Sequence, residues 1–192
     1  MYNLKRLFKV FFCILLTLIM VISFNLPKAY AEKNKKAVTI LFTHDMHDHV
    51  LPFNIEQNGK TEQLGGYARL KSAIQEEKKK DPDLLLVDAG DFSMGTLFQT
   101  IYTSDAPELR IMGQMGYDAT TFGNHEFDFR ADGLADSLNA AKNSGDKLPK
   151  IVASNIIFPE DENGNLSKSL TNLKQAMGNF GVKDYTIIER NG

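Results

Sequence analysis

Cysteine is almost missing from this chain: Cys13 is the only one in 192 residues. It lies inside an apolar N-terminal run, without the small residues of a lipid-attachment site before it. Cleavage behind that run would leave a mature chain with no cysteine, so disulfides are excluded even where the compartment would permit them. Histidine is scarce too: His44, His47, His49 and His125 are all there are, and none follows His125. No internal repeat is evident. Excess positive charge is also lacking. Removing Lys5, Arg6, Lys9 and Lys28 with the N-terminal run leaves 18 basic against 24 acidic side chains, a formal charge of about −6 with histidine neutral. A net acidic surface argues against binding nucleic-acid polymers, although a local metal site could still attract phosphate.

What is present reads as one ordinary globular unit, 43% hydrophobic and 24% charged. The first 31 residues stand apart. Lys5, Arg6 and Lys9 precede an uncharged stretch from Val10 to Pro27, and Ala29-Tyr30-Ala31 follows. A basic head, an apolar middle and small residues at alternate positions form a secretory signal with cleavage expected after Ala31, which places residues 32–192 outside the cytoplasm, in the envelope or the medium. Membrane attachment is expected only if this segment stays uncleaved.

The order of elements points to an α/β fold with a largely parallel sheet. Ala37 to Phe42 reads as a buried strand ending in the histidine-rich turn Thr43 to His49. Gly65 to Lys80 has helical spacing and is stopped by Asp81-Pro82. Leu84 to Val87 is a second buried strand. Ser104 can cap a helix running to about Met115, and Ala119 to Phe122 is a short strand. A helix from about Gly133 to Lys142 precedes the strands Lys150 to Ala153 and Tyr185 to Glu189. Asp161 to Thr171, polar and rich in Asn and Gly, reads as an exposed loop.

Three of these strand ends carry metal-ligand side chains. Asp45 and His47 are one residue apart, so in extended backbone both point the same way and can grip one ion. A carboxylate with an imidazole suits zinc, manganese or iron better than calcium. Asp91, behind Gly90, can approach two ions and bridge them, while Asp88 braces the loop. Gly123-Asn124-His125-Glu126 offers a neutral oxygen ligand and an imidazole. In a helical turn Asp128 falls beside His125, fixing its tautomer and raising its pKa. Met94, Met112 and Met115 read as core filling.

Thr-Ile-Leu-Phe-Thr-His-Asp-Met-His, Val-Asp-Ala-Gly-Asp and Thr-Thr-Phe-Gly-Asn-His-Glu-Phe-Asp, in this order, resemble the calcineurin-like metallophosphoesterases. They are similar to the secreted 5′-nucleotidase and 2′,3′-cyclic-nucleotide 2′-phosphodiesterase branch, over roughly Val38 to Asn155. The resemblance implies that Asp45 and His47 bind a first metal, Asp91 bridges and Asn124 binds a second. His125 and Asp128 match the catalytic dyad. Two divalent ions, manganese, zinc or iron, about 4 Å apart would activate water for in-line attack on a nucleotide phosphate ester. His44 stands where the family commonly has Asn. His49 lies close enough to influence a bound phosphate, and Asn155 ends a strand and could line the cleft.

The resemblance is partial. The family's full site also takes histidines from two later loops, and its nucleotidases carry a nucleoside-binding C-terminal domain. Residues 32–192 therefore read as the N-terminal half of an α/β/β/α sandwich, apparently truncated, with an exposed edge strand and a bare apolar face. A catalytically inactive metal-binding or partner-binding fragment is the alternative to a nucleotide phosphoesterase.

Overall fold

In the computed structural model, which describes residues 3, 8, 9, 11, 12, 14 and 37–190, the chain divides into the units Met1–Ala37 and Val38–Gly192. In the first, residues 3, 8, 9, 11, 12 and 14 are helical and exposed. The cleavage expected after Ala31 falls outside the described residues. Among the described residues no helix is long and apolar enough to cross a membrane.

The second unit begins with β1 (Ile40–Thr43). A hairpin follows, β2 (Phe53–Gln57) and β3 (Lys60–Leu64), closed by Asn58 and Gly59 at φ 53° and 71°. Positive φ at both central residues is what a two-residue turn needs to match strand twist. The sequence reading had no element here, although Asn-Gly is the expected signal. Helix α1 (Tyr67–Lys80) buries Tyr67 and Ile74 and ends on Lys78, Lys79 and Lys80, which favour its negative C-terminal dipole. Strand β4 (Leu85–Asp88) then returns parallel to β1, with Ile40 opposite Leu85 and Thr43 opposite Asp88.

The helix expected from Ser104 to Met115 is broken. Ala106 adopts φ 44° and separates α2 (Tyr102–Asp105) from α3 (Pro107–Met115). Pro107 explains the break, since it disfavours helical backbone before it and suits a first helical position. Ser104 does not cap; its hydroxyl donates to Ile101 O and to Asp105. Gly116, at φ 86°, ends α3 by donating to Met112 O and Gly113 O.

Next come β5 (Ala119–Thr120), α4 (Arg130–Asn143), β6 (Lys150–Ile151) and α5 (Lys168–Phe180). The sheet is parallel, in the order β1-β4-β5-β6. The loop expected over Asp161 to Thr171 is shorter, because Ser167 caps α5 by accepting from Leu170 N. Tyr185 to Glu189 is not a strand; among the described residues the nearest pairing is the bridge of Lys183 to Val152.

Helix faces cover one side of the sheet. Leu86, Phe92, Ile74, Leu109, Met112, Tyr117, Leu134, Leu138 and Ile151 form the buried core, with Leu173, Ala176 and Met177 of α5. The other side is bare at β1: Val38, Ile40 and Phe42 are 58%, 58% and 64% exposed, while Leu41 between them packs on the core. The alternation is that of a strand with one covered face. The buried strand expected from Ala37 to Phe42 is thus shorter, Ile40–Thr43, and turns only alternate residues to the core.

Candidate metal centre

The carboxyl ends of β1, β4 and β5 carry three loops, Thr43–His49, Ala89–Met94 and Thr121–Asp128. Loops at this edge of a parallel sheet are the usual ligand-binding position of α/β folds. The first two are stitched together by backbone bonds that continue the β1/β4 pairing: Asp45 N–H to Gly90 O (3.0 Å), His47 N–H to Asp91 O (3.0 Å) and Asp48 N–H to Phe92 O (2.8 Å).

Asp45 and His47 do come together, with Oδ1 of Asp45 3.8 Å from Nε2 of His47. The reason differs from the one expected. The backbone is not extended: Asp45, His47 and Asp48 have φ of 50°, 43° and 43°, and Asp91 has φ 52°. Left-handed backbone at non-glycine residues costs about 1 to 3 kcal/mol each and persists only where surrounding bonds over-determine it. Here the stitching to Gly90–Phe92 does so.

Donor atoms of His47, Asp91 and His125 all lie within 4.8 Å of one another. The His47 and His125 rings meet edge to face with centroids 5.0 Å apart. Nδ1 of His47 faces Ser93 O at 3.2 Å, which leaves Nε2 toward the cluster. Asp91 Oδ1 accepts the His125 backbone N–H at 2.9 Å. Two glycines permit this closeness. A Cβ on Gly123 would overlap the Asp91 carboxylate, and a Cβ on Gly90, at φ 94°, would press on Gly123 N.

His125 Nδ1 lies 2.8 Å from Asp128 Oδ2 across a 3-10 turn, His125–Phe127. That hydrogen bond, partly opposed by desolvation, raises the imidazole pKa above its ordinary value. Asn124 is exposed at the start of the turn. Its carbonyl accepts Phe127 N–H, and its amide makes no capping bond, so the side chain is left for another partner.

His44 stands beside the cluster with Nδ1 2.5 Å from Asp45 Oδ2, a bond that holds the Asp45 carboxyl below its ordinary pKa. His49 is exposed. Asn155 lines a cavity of about 270 Å³ with Asp88, Thr120, Thr121 and Ser154 at the same sheet edge. Met112 and Met115 are buried, whereas Met94 is half-buried at φ 62°.

Asp88 braces the strands. Its Oδ2 accepts from Thr43 Oγ1 (2.7 Å), and its Oδ1 from Thr120 Oγ1 (2.8 Å) and Gly90 N–H (2.9 Å). Burial raises its pKa even so.

Sequence reasoning missed Glu126. Fully buried, it accepts Asp91 N–H (3.0 Å) and Gly123 N–H (2.6 Å) on Oε2, and Ser93 N–H (3.0 Å) and Ser93 Oγ (2.8 Å) on Oε1. One carboxylate thus ties the loop carrying Asp91 to the loop carrying Asn124 and His125. Two further buried carboxylates, Asp48 and Glu108, have no hydrogen-bond partner among the described residues.

The donor set fits divalent first-row ions: imidazole nitrogens and carboxylate oxygens converge, with an amide oxygen available nearby. The family model for calcineurin-like phosphoesterase matches residues 38–178. The chain is similar to rat 5′-nucleotidase, 36% identical over 104 residues, covering 53% of this chain and 18% of that protein. It is similar to the trifunctional nucleotide phosphoesterase of Bacillus subtilis, 29% identical over 183 residues, 81% of this chain and 12% of the relative. Among solved structures it resembles the 5′-nucleotidase precursor from Thermus thermophilus, with TM-score 0.61 and 26% identity over 81% of this chain and 26% of that one. The chain therefore spans about a fifth or less of the length of the curated relatives it matches.

Proposed function

The chain belongs to the calcineurin-like phosphoesterase family, and we propose that its three loops supply part of a divalent-metal centre that hydrolyses nucleotide phosphate esters. The observation that carries this reading is the convergence of His47, Asp91 and His125 within 4.8 Å, with Asp45 3.8 Å from His47. The similarity to a 5′-nucleotidase and to a nucleotide phosphoesterase supports the substrate class.

Asp45 and His47 would hold one ion, Asp91 would bridge, and Asn124 would offer its amide oxygen to a second. Bound there, such ions supply Lewis-acid polarisation of a phosphoryl oxygen and lower the pKa of water. The protein's own contribution is positional. Asp91 Oδ1 is occupied by the His125 N–H, so Oδ2 is the freer oxygen. His125, engaged through Nδ1 by Asp128, directs Nε2 into the cluster, where as an imidazolium it would stabilise charge on a phosphoryl oxygen or leaving group. Glu126 keeps both loops in register.

Hydrolysis of both a 5′-nucleotide and a 2′,3′-cyclic nucleotide belongs to this proposal, as does export of residues 32–192 through cleavage after Ala31. The test is phosphate release from AMP and cleavage of bis-p-nitrophenyl phosphate with Mn²⁺ or Zn²⁺, beside an Asp91→Asn control. Metal-dependent activity lost in the control supports the reading. Activity that survives both chelation and Asp91→Asn would refute it.

A further inference from the structure

Phe42 and His44 leave the end of β1 on the same side, their rings stacked at 20° with centroids 6.3 Å apart. His44 in turn meets Asp45, Nδ1 to Oδ2, at 2.5 Å, while Oδ1 of Asp45 lies 3.8 Å from His47 Nε2. We infer that His44 is a positioning residue for the metal centre: its Nδ1–H donates to Oδ2 of Asp45 and leaves Oδ1 as the single oxygen that Asp45 presents beside His47. This rests on the proposed metal role of Asp45 and His47.

The physical need is clear from exposure. The Asp45 side chain is 54% accessible and sits on left-handed backbone, so its carboxylate is held by its neighbours in the cluster, His44 foremost and Asp91 after it, rather than by burial. A carboxylate free to rotate offers either oxygen, or both, to an ion and pays rotational entropy on binding. A donor fixed to one oxygen removes that freedom before the ion arrives, as hydrogen bonds to metal ligands generally do. The His44 side chain is itself 61% accessible, and the Phe42 ring lies alongside it at 20°. An amide can make the same donation, so asparagine at this position would preserve the function.

The experiment is Mn²⁺ affinity of the full chain by titration with electron paramagnetic resonance, for the parent, His44→Asn, His44→Leu, Phe42→Ala and Asp45→Ala. His44→Asn is expected to bind within about twofold of the parent and His44→Leu roughly tenfold more weakly. Phe42→Ala should fall between, and Asp45→Ala should lose most. Because Phe42 and His44 are exposed, the metal-free melting temperature of His44→Leu should match the parent. Parent-like affinity in His44→Leu would overturn the inference alone. Equal weakening in His44→Asn and His44→Leu would also overturn it, by making the imidazole itself a ligand. Absence of Mn²⁺ binding in the parent, or indifference to Asp45→Ala, would overturn the metal reading and this inference with it.

Discussion

Glu108 is a buried acid with no donor from any other described residue, and replacing it with glutamine should stabilise the protein in a way that depends on pH. The side chain is fully buried in the first turn of α3, and among the described residues neither carboxyl oxygen has a hydrogen-bond partner outside Glu108 itself. Burial, partly opposed by the residue's own backbone N–H and reinforced by the charges of Asp48 and Glu126, pushes its pKa up from 4.5 to about 8. In the unfolded chain the group ionises near pH 4.5, while in the folded chain it keeps its proton until about pH 8. Between those values the unfolded state binds fewer protons, so the stability present below pH 4.5 is lost as pH rises through the window. At about 1.36 kcal/mol per pH unit, the loss reaches roughly 3 kcal/mol at pH 7 and roughly 5 kcal/mol above pH 8. Glutamine has nearly the same shape and no charge to suppress. Glu108→Gln should therefore match the parent near pH 4.5 and exceed it by about 3 kcal/mol at pH 7, or roughly 6 to 12 °C in melting temperature. Urea unfolding followed by circular dichroism at pH 4.5, 6, 7 and 8.5 would show the difference growing with pH. A difference that is flat across the series, or a variant less stable at pH 8.5, would mean that Glu108 is ionised and paired in the folded protein.

At Glu126 the same substitution should destabilise instead. Glu126→Gln replaces an acceptor of four hydrogen bonds with a group whose amide faces N–H donors, and should cost about 2 to 4 kcal/mol in urea unfolding; a cost under about 0.5 kcal/mol would remove its role as the tie between loops. Gly123→Ala places a Cβ on the Asp91 carboxylate, so Mn²⁺ affinity should fall at least about tenfold; unchanged affinity would take Asp91 out of the centre. His125→Ala should reduce turnover far more than metal content, whereas Asp91→Asn should reduce both, and equal metal loss in the two would make His125 a ligand rather than part of a dyad with Asp128.

Much of the frame was legible because short apolar runs mark parallel strands and their polar ends mark the loops. Thr43 to His49, Asp88 to Asp91 and Gly123 to Asp128 lie together for that reason alone. The hidden parts depend on contacts that no local period encodes. Glu126 reads as an ordinary polar residue in a turn, yet its partners Asp91 and Ser93 lie 35 and 33 residues back in the chain. The approach of Asp45 to His47 looked like strand alternation, but it arises from left-handed backbone fixed by Gly90, Asp91 and Phe92. Other misses were local and readable. Asn58-Gly59 announced the β2–β3 hairpin, Pro107 the break before α3, and Ser167 with Leu170, Leu173 and Met177 the helix α5. In the last case the Asn- and Gly-rich loop ends at Ser167, where the helical period begins. Tyr185 to Glu189 has a strand's composition but, among the described residues, no ladder partner beyond the single bridge at Lys183. Composition without a neighbour does not make a strand.

The most direct test of the proposed centre is anomalous diffraction at the manganese edge from crystals grown with Mn²⁺. Peaks should fall among Asp45 Oδ1, His47 Nε2 and Asp91, with Asn124 contacting any second ion and Nδ1 of His125 still on Asp128. No peak at these loops, or manganese held elsewhere with Asp45 and Asp91 uninvolved, would contradict it.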